Sequence, residues 1–187
     1  MKTLQNVYTF WFDKKDNYNK WFIDSKKNDT YITRHFKELL LFYKKKNKNS
    51  TIHYEEYTMK ELISLIILFD QFSRQIYRGS PKAYAMDTRS KDISLYLIEN
   101  GLIENLSENE QLFALLPLQH STNLEDLYIL LELLYILNNN KLFVHHTREH
   151  IKVLQLFDRY PKRNKSLAIK STPAEMEYIK NSNNRDY

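Results

Sequence analysis

The chain has 187 residues, a length suited to one domain, and folding at that size buries about 70% of the surface the unfolded chain exposes. It contains no cysteine, which excludes disulfides, thiolate metal sites and a cysteine nucleophile and fits a reducing, cytoplasmic setting. The net charge of +5 attracts phosphates weakly, but it comes mostly from scattered lysines, and the one run, Lys44, Lys45, Lys46 and Lys48, reads as a solvated loop.

In chain order, Met1 to Lys15 contributes Tyr8, Phe10, Trp11 and Phe12 but lacks the apolar run and small-residue cleavage site of a secretory signal. Next, Ile32, Phe36, Leu39, Leu40 and Tyr43 fall on one helical face, which predicts a helix running into the lysine loop. Leu62, Leu65, Ile66, Phe69 and Ile76 make a second stripe, and Ile63 and Ile67 widen it into a helix apolar on most sides, which must be buried. The longest apolar run, Leu65 to Phe69, is far below the ~20 residues of a membrane span. That helix should stop at Gly79, with Ser80 and Pro81 opening the next turn. Asp87 is expected to cap a helix through Ile93, Tyr96 and Leu97 that Gly101 ends. Leu112 to Leu118 reads as a short helix broken near Pro117. Leu124 to Leu137 and Lys141 to Phe157 should form an antiparallel pair, because only Asn138, Asn139 and Asn140 connect them. A last helix is expected from Pro173 to about Lys180, then a frayed polar tail over 181–187.

Helix starts have their own signature, Ser or Thr followed three residues later by Glu, at Thr58/Glu61, Ser107/Glu110, Thr122/Glu125 and Thr172/Glu175. Glycine, at 2 residues, is too scarce for hairpins, barrels or phosphate loops. The expectation is therefore an all-α single domain over 1–180, built of antiparallel helix pairs, with no substantial β-sheet.

Three groups of residues carry chemistry. Asp70, Arg74 and Arg78 recur at i+4 steps beside Gln71 and Tyr77, emerging from a helix half that must be buried. Asp70 can take a two-pronged bond from Arg74, which leaves Arg78 to meet a ligand or a carboxylate of another segment. The bland reading is a salt-bridge network pinning the helices. Arg159, Tyr160, Lys162, Arg163 and Asn164 follow a helix C-terminus, where cations meet the negative end of the dipole. The sharper reading has Arg159 and Arg163 joining Arg74 and Arg78 around a phosphate or carboxylate, with His120 and His150 as neutral donors or a proton relay. His146-Thr147-Arg148-Glu149-His150 spells an inverted zinc-protease motif, but it has no evident third ligand and lies on a helix with its own apolar face. No metal and no cofactor are expected, and no catalytic residue is assigned.

The stretch from Leu68 to Pro81, the run Leu116-Pro117-Leu118-Gln119-His120-Ser121, and the segment from His150 through Phe157-Asp158-Arg159-Tyr160-Pro161-Lys162-Arg163-Asn164 resemble, in order and spacing, the signatures of the domain of unknown function 924 family. Phe10-Trp11-Phe12, Trp21-Phe22 and Ser171-Thr172-Pro173-Ala174-Glu175 extend the resemblance over nearly the whole chain. It implies a fold of stacked helix pairs similar to tetratricopeptide-repeat proteins, with a concave face. The chain departs from the family pattern at Asp158, where the family has Gly, at Lys162, where it has His, and at Leu118, Gln119 and Thr122, where it has Phe, Glu and Glu.

The functional expectation is a soluble binding module whose cleft, lined by Asp70, Gln71, Arg74, Tyr77, Arg78, His120, His150, Arg159, Arg163 and Asn164, takes a peptide or protein partner. The alternative is an enzyme or binding protein for a small anionic ligand in the same residues. RNA binding through the basic surface is the third reading, and the dispersed charge argues against it.

Overall fold

The computed structural model describes residues 2–13, 21, 26–46, 53–137 and 141–182. Lys48, Phe22, the Asn138 to Asn140 connection and residues 183–187 of the expected tail lie outside the described residues. The elements are α1 (Leu4–Phe12), α2 (Lys26–Lys46), α3 (Met59–Ile66), a π-helical segment (Ile67–Phe72), α4 (Ser73–Ile76), α5 (Asp87–Glu99), α6 (Glu108–Gln119), α7 (Leu124–Ile136), α8 (Lys141–Phe157) and α9 (Pro173–Asn181). Short 3-10 turns stand at Tyr54–Glu56, Pro81–Tyr84, Ile103–Asn105 and Pro161–Arg163. No strand occurs among the described residues, so the fold is all-α.

The chain forms two compact units, the first from Met1–Arg78 with Lys82–Ala114 and the second from Gly79–Pro81 with Leu115–Tyr187. In the first, every residue from Leu62 to Asp70 is buried, as the all-round apolar pattern requires. α1 packs on α3 and on the π segment, α2 on the π segment and α4, and α5 on α3 and the π segment. The aromatic opening of the chain belongs to this core. Trp11 is fully buried and meets Phe72 and Phe113 edge-on, at centroid distances of 5.5 and 5.3 Å. The Trp21 Nε1 donates to the Trp11 carbonyl at 3.0 Å, which satisfies the polar tip of an otherwise apolar ring.

In the second unit, α7 and α8 pack against each other, and Leu127 joins Ile151, Val153, Leu154 and Tyr160 in its core. Their direction is fixed by two side-chain bonds across the seam. Gln155 Nε2 donates to the Tyr128 hydroxyl at 3.0 Å, and the Arg148 guanidinium donates to the Tyr135 hydroxyl. Moving up α7 from Tyr128 to Tyr135 corresponds to moving down α8 from Gln155 to Arg148, so the pair is antiparallel.

The expected capping boxes stand at Thr58/Glu61 and Thr172/Glu175, and at Ser107 the Glu110 carboxylate accepts from both the backbone N–H, at 3.0 Å, and the hydroxyl. Thr122 does not cap α7. Asn123 does, its Oδ1 accepting from the Glu125 N–H at 3.0 Å, while Ser121 turns its hydroxyl to Asp126. Asp87 opens α5 as its first helical residue, after Met86 at the cap position, and its carboxylate is engaged by Arg74. Nor does Pro117 break α6, which runs through it to Gln119. Proline there lies in the last turn, where its missing N–H interrupts one bond only.

Gly101 adopts φ 63° and closes α5, with Leu102 N–H bonding the Leu97 carbonyl and Gly101 N–H the Ile98 carbonyl. Ala168, at φ 56°, repeats that pattern through Ile169 to Asn164 and Ala168 to Lys165. Asp158 also lies at φ 56°, at the position where the resembled family carries glycine.

Candidate functional site

In the first unit a polar cluster stands at the π segment. A π turn adds a residue to a helical turn, which breaks the α ladder locally and turns side chains that an α-helix would space differently. Asp70 lies inside it with 0% exposure. Gln71 Nε2, at 2.5 Å, and Arg74 Nη2, at 3.1 Å, donate to the carboxylate. The same Arg74 nitrogen reaches Asp87 Oδ2 at 3.0 Å, and the guanidinium stands 5.2 Å over the Tyr84 ring. One cation thus bridges two carboxylates contributed by the π segment and α5. Arg78, in the turn after α4, grips Asp29 of α2 with both Nε, at 2.7 Å, and Nη2, at 3.0 Å. The Tyr77 ring lies 5.9 Å from the Lys37 ammonium.

The second unit holds another cluster, between the end of α6, the middle of α8 and the 3-10 turn that begins at Pro161. His150 is 3% exposed. Its Nδ1 lies 2.8 Å from the Gln119 carbonyl, which fixes the tautomer with the proton on Nδ1 and leaves Nε2 as an acceptor facing Gln119 Nε2 at 3.5 Å. Burial pushes the imidazole pKa down to about 3, so His150 is neutral at physiological pH. The Tyr160 ring meets it edge-on at 5.2 Å, and the Tyr160 hydroxyl donates towards the carbonyls of Ser121 and Gln119, at 2.9 and 3.1 Å. Arg163, also buried, stacks on this tyrosine with its guanidinium 4.4 Å from the ring centre. His120 lies near enough for its charge to bear on His150.

Arg159 and Asn164 converge on a different residue of the same unit. Glu175, 2% exposed at the start of α9, accepts from Arg159 Nε at 2.6 Å and Nη2 at 2.9 Å, and from the Thr172 N–H at 2.7 Å. Those bonds, with a further one from Asn164, hold its carboxyl pKa down at about 2. The Asn164 amide also donates to Ser171 Oγ at 3.1 Å. Two buried amide oxygens of this unit, Gln119 Oε1 and Asn164 Oδ1, meet no donor among the described residues.

The structure therefore brings Asp70, Gln71 and Arg74 together, gives Arg78 and Arg159 a carboxylate each, and gathers His120, His150 and Arg163 about Tyr160. Sequence reading missed Asp29, Asp87, Gln119 and Glu175 as partners in these clusters. Glu175 was visible as a capping residue, but nothing local announces Asp29, which lies 49 positions from the arginine it holds. His146 and His150 share a helix, but His150 bonds to Gln119, and no group of three His, Cys, Asp or Glu among the described residues could hold a metal ion.

An all-helical protein in which Arg74, Arg78 and Arg159 are clasped by carboxylates and a central histidine is buried and neutral is the class these clusters define. The chain belongs to the family described as bacterial protein of unknown function (DUF924), whose pattern matches residues 7–183. It is similar to a solved structure, that of the protein of unknown function ATU0120 from Agrobacterium tumefaciens, with 24% identity and a TM-score of 0.83 over 96% of this chain and 97% of that one. That likeness is one of fold. Among curated proteins no match was found.

Proposed function

We propose that the protein is a binding module that takes a peptide or protein partner on the outer face of the α7–α8 hairpin. One observation carries this reading. Six large apolar or aromatic side chains of that hairpin, Tyr128, Ile129, Tyr135, Ile136, Leu142 and Leu156, are exposed, with Ile136 at 68% and Leu156 at 72%. An apolar surface concentrated on one supersecondary element is a mark of macromolecular docking, and tyrosine is among the residues that anchor such contacts. Arg74, Arg78 and Arg159, by contrast, each hold carboxylates of their own unit, which supports docking by apolar contact over capture of an anion. No described helix is long and apolar enough to cross a membrane. A chain without cysteine suits the cytoplasm, where we place its work.

The test is fluorescence anisotropy with labelled amphipathic helical peptides of either net charge. Binding is expected in the micromolar range and should weaken at least about tenfold in Ile136→Asp, about 1.4 kcal/mol. Absence of binding by any peptide, or binding indifferent to Ile136→Asp, would overturn the reading.

A second reading draws on the buried oxygens of Gln119 and Asn164. Acceptors without donors favour a small ligand bearing hydroxyl or amine groups over a bare anion. A thermal-shift screen with polyols, amines and phosphates separates the two, since a ligand of the folded state raises the melting temperature by mass action.

A further inference from the structure

We infer that the occupant of the α7–α8 face is a second copy of this chain, which rests on the reading of that face as a protein-docking surface. The first ground is charge. α7 carries Glu125, Asp126 and Glu132 and no Lys or Arg, and both glutamates are exposed. α8 carries Lys141, Arg148 and Lys152 against the single acid Glu149, and all three cations are exposed. Neither helix complements itself, and each complements the other. A closed dimer uses the same patch on both copies, so its symmetry axis decides which helices meet. An axis across the hairpin would set α7 on α7, acid against acid. An axis lying lengthwise between the two helices sets α7 of each copy over α8 of the other.

The second ground is register. A rotation about the lengthwise axis keeps every residue at its own height along the hairpin. Height is fixed by the two seam bonds, which place Tyr128 level with Gln155 and Tyr135 level with Arg148. Glu132, midway along α7, is then level with Ile151 and next to Lys152, so the acid of one copy faces the lysine of the other. Ile129 falls close to the level of Leu156, which puts one exposed aliphatic chain opposite another across the interface. Lys152 is held at present by Glu149 on its own helix, 2.7 Å away, in an exposed pair of the kind that contributes little to stability. That pair yields readily to a new carboxylate. The hairpin's aliphatic chains would supply the apolar centre and its charges the rim, the usual anatomy of such contacts.

Sedimentation velocity across a concentration series tests the inference on the full chain. Wild type should move towards twice the 22.7 kDa chain mass as concentration rises. Leu156→Asp, at an exposed site, should weaken association at least about tenfold while leaving the melting temperature unchanged at concentrations where both proteins are monomeric. Glu132→Lys and Lys152→Glu should each weaken it, and the double variant should restore it to within about threefold of wild type, because opposite charges again face each other. A chain that stays monomeric up to about 1 mM overturns the second copy as occupant. So does a dimer indifferent to Leu156→Asp, or a charge-swapped pair that fails to recover. Peptide binding that remains sensitive to Ile136→Asp in a monomeric chain would leave the docking face standing with a different partner, so the two claims fail separately.

Discussion

Three residues make their physics measurable one at a time. His150 takes up no proton in the folded state until about pH 3, whereas the unfolded chain protonates it near pH 6.5. Its contribution is therefore complete above pH 6.5 and declines as pH falls towards 3, by at most about 1.4 kcal/mol per pH unit. Chemical denaturation of His150→Gln should show a flatter dependence between pH 6.5 and 4.5 than wild type, and equal slopes would place the titration elsewhere. Glu175 works at lower pH, because its folded pKa is depressed to about 2 from an ordinary 4.5. The stability it supplies is present above pH 4.5 and is lost as pH falls through 2, and Glu175→Gln should remove that acid-limb loss. Ala168 strains the backbone where a glycine would not, at φ 56° in a turn that matches the one Gly101 closes. Ala168→Gly should stabilise by about 1 kcal/mol, raising the melting temperature about 2–4 °C in calorimetry.

At the level of elements, the π segment is the departure that counts. Sequence periodicity predicted one unbroken helix to Gly79, whereas the chain runs α, π and α and leaves helical geometry after Ile76. The i+4 bond from Arg74 to Asp70 survives, but Arg78 leaves the stripe and turns to α2. Energetics follow from burial. Asp70 is fully enclosed, so Asp70→Ala takes a buried acceptor from Gln71 and from Arg74, whose guanidinium keeps Asp87, and should cost about 2–3 kcal/mol. Arg78→Ala breaks a pair at the surface and should cost about 1 kcal/mol or less. Urea titrations giving equal losses for the two would contradict this ranking. The helices themselves were legible because their signals are local: caps, apolar stripes and the terminating glycine at Gly101 each lie within one turn. Thr122 and Asp87 depart from the expected caps for different reasons: Asn123, one residue on, takes the cap of α7, and the Asp87 carboxylate is drawn to Arg74, a neighbour that only packing brings beside it.

On the scale of the whole molecule, the two units should differ in how their protection is distributed. Leu62 to Phe72 has only Gln71 less than fully buried and forms the middle of the first unit, so its amides should exchange most slowly there. α9, with Glu175 its one buried residue, should exchange early, and hydrogen-exchange mass spectrometry that found α9 as protected as Leu62 to Phe72 would contradict this. Reductants should leave every one of these measurements unchanged, since there is no cysteine to reduce.

The amino-acid sequence by itself determined the all-helical class, most helix limits, the buried stripe through Leu62 to Phe69 and the residues that would carry charge or titrate. It did so because helix formation answers to neighbours three and four positions away. Tertiary structure alone decided that Arg78 holds Asp29, that Arg74 joins Asp70 to Asp87, that Arg159 closes on Glu175 and that His150 is sealed against Gln119 and Tyr160. A guanidinium fits any carboxylate equally well. Which one it meets is set by how distant elements pack, and that information lies in no short stretch of chain.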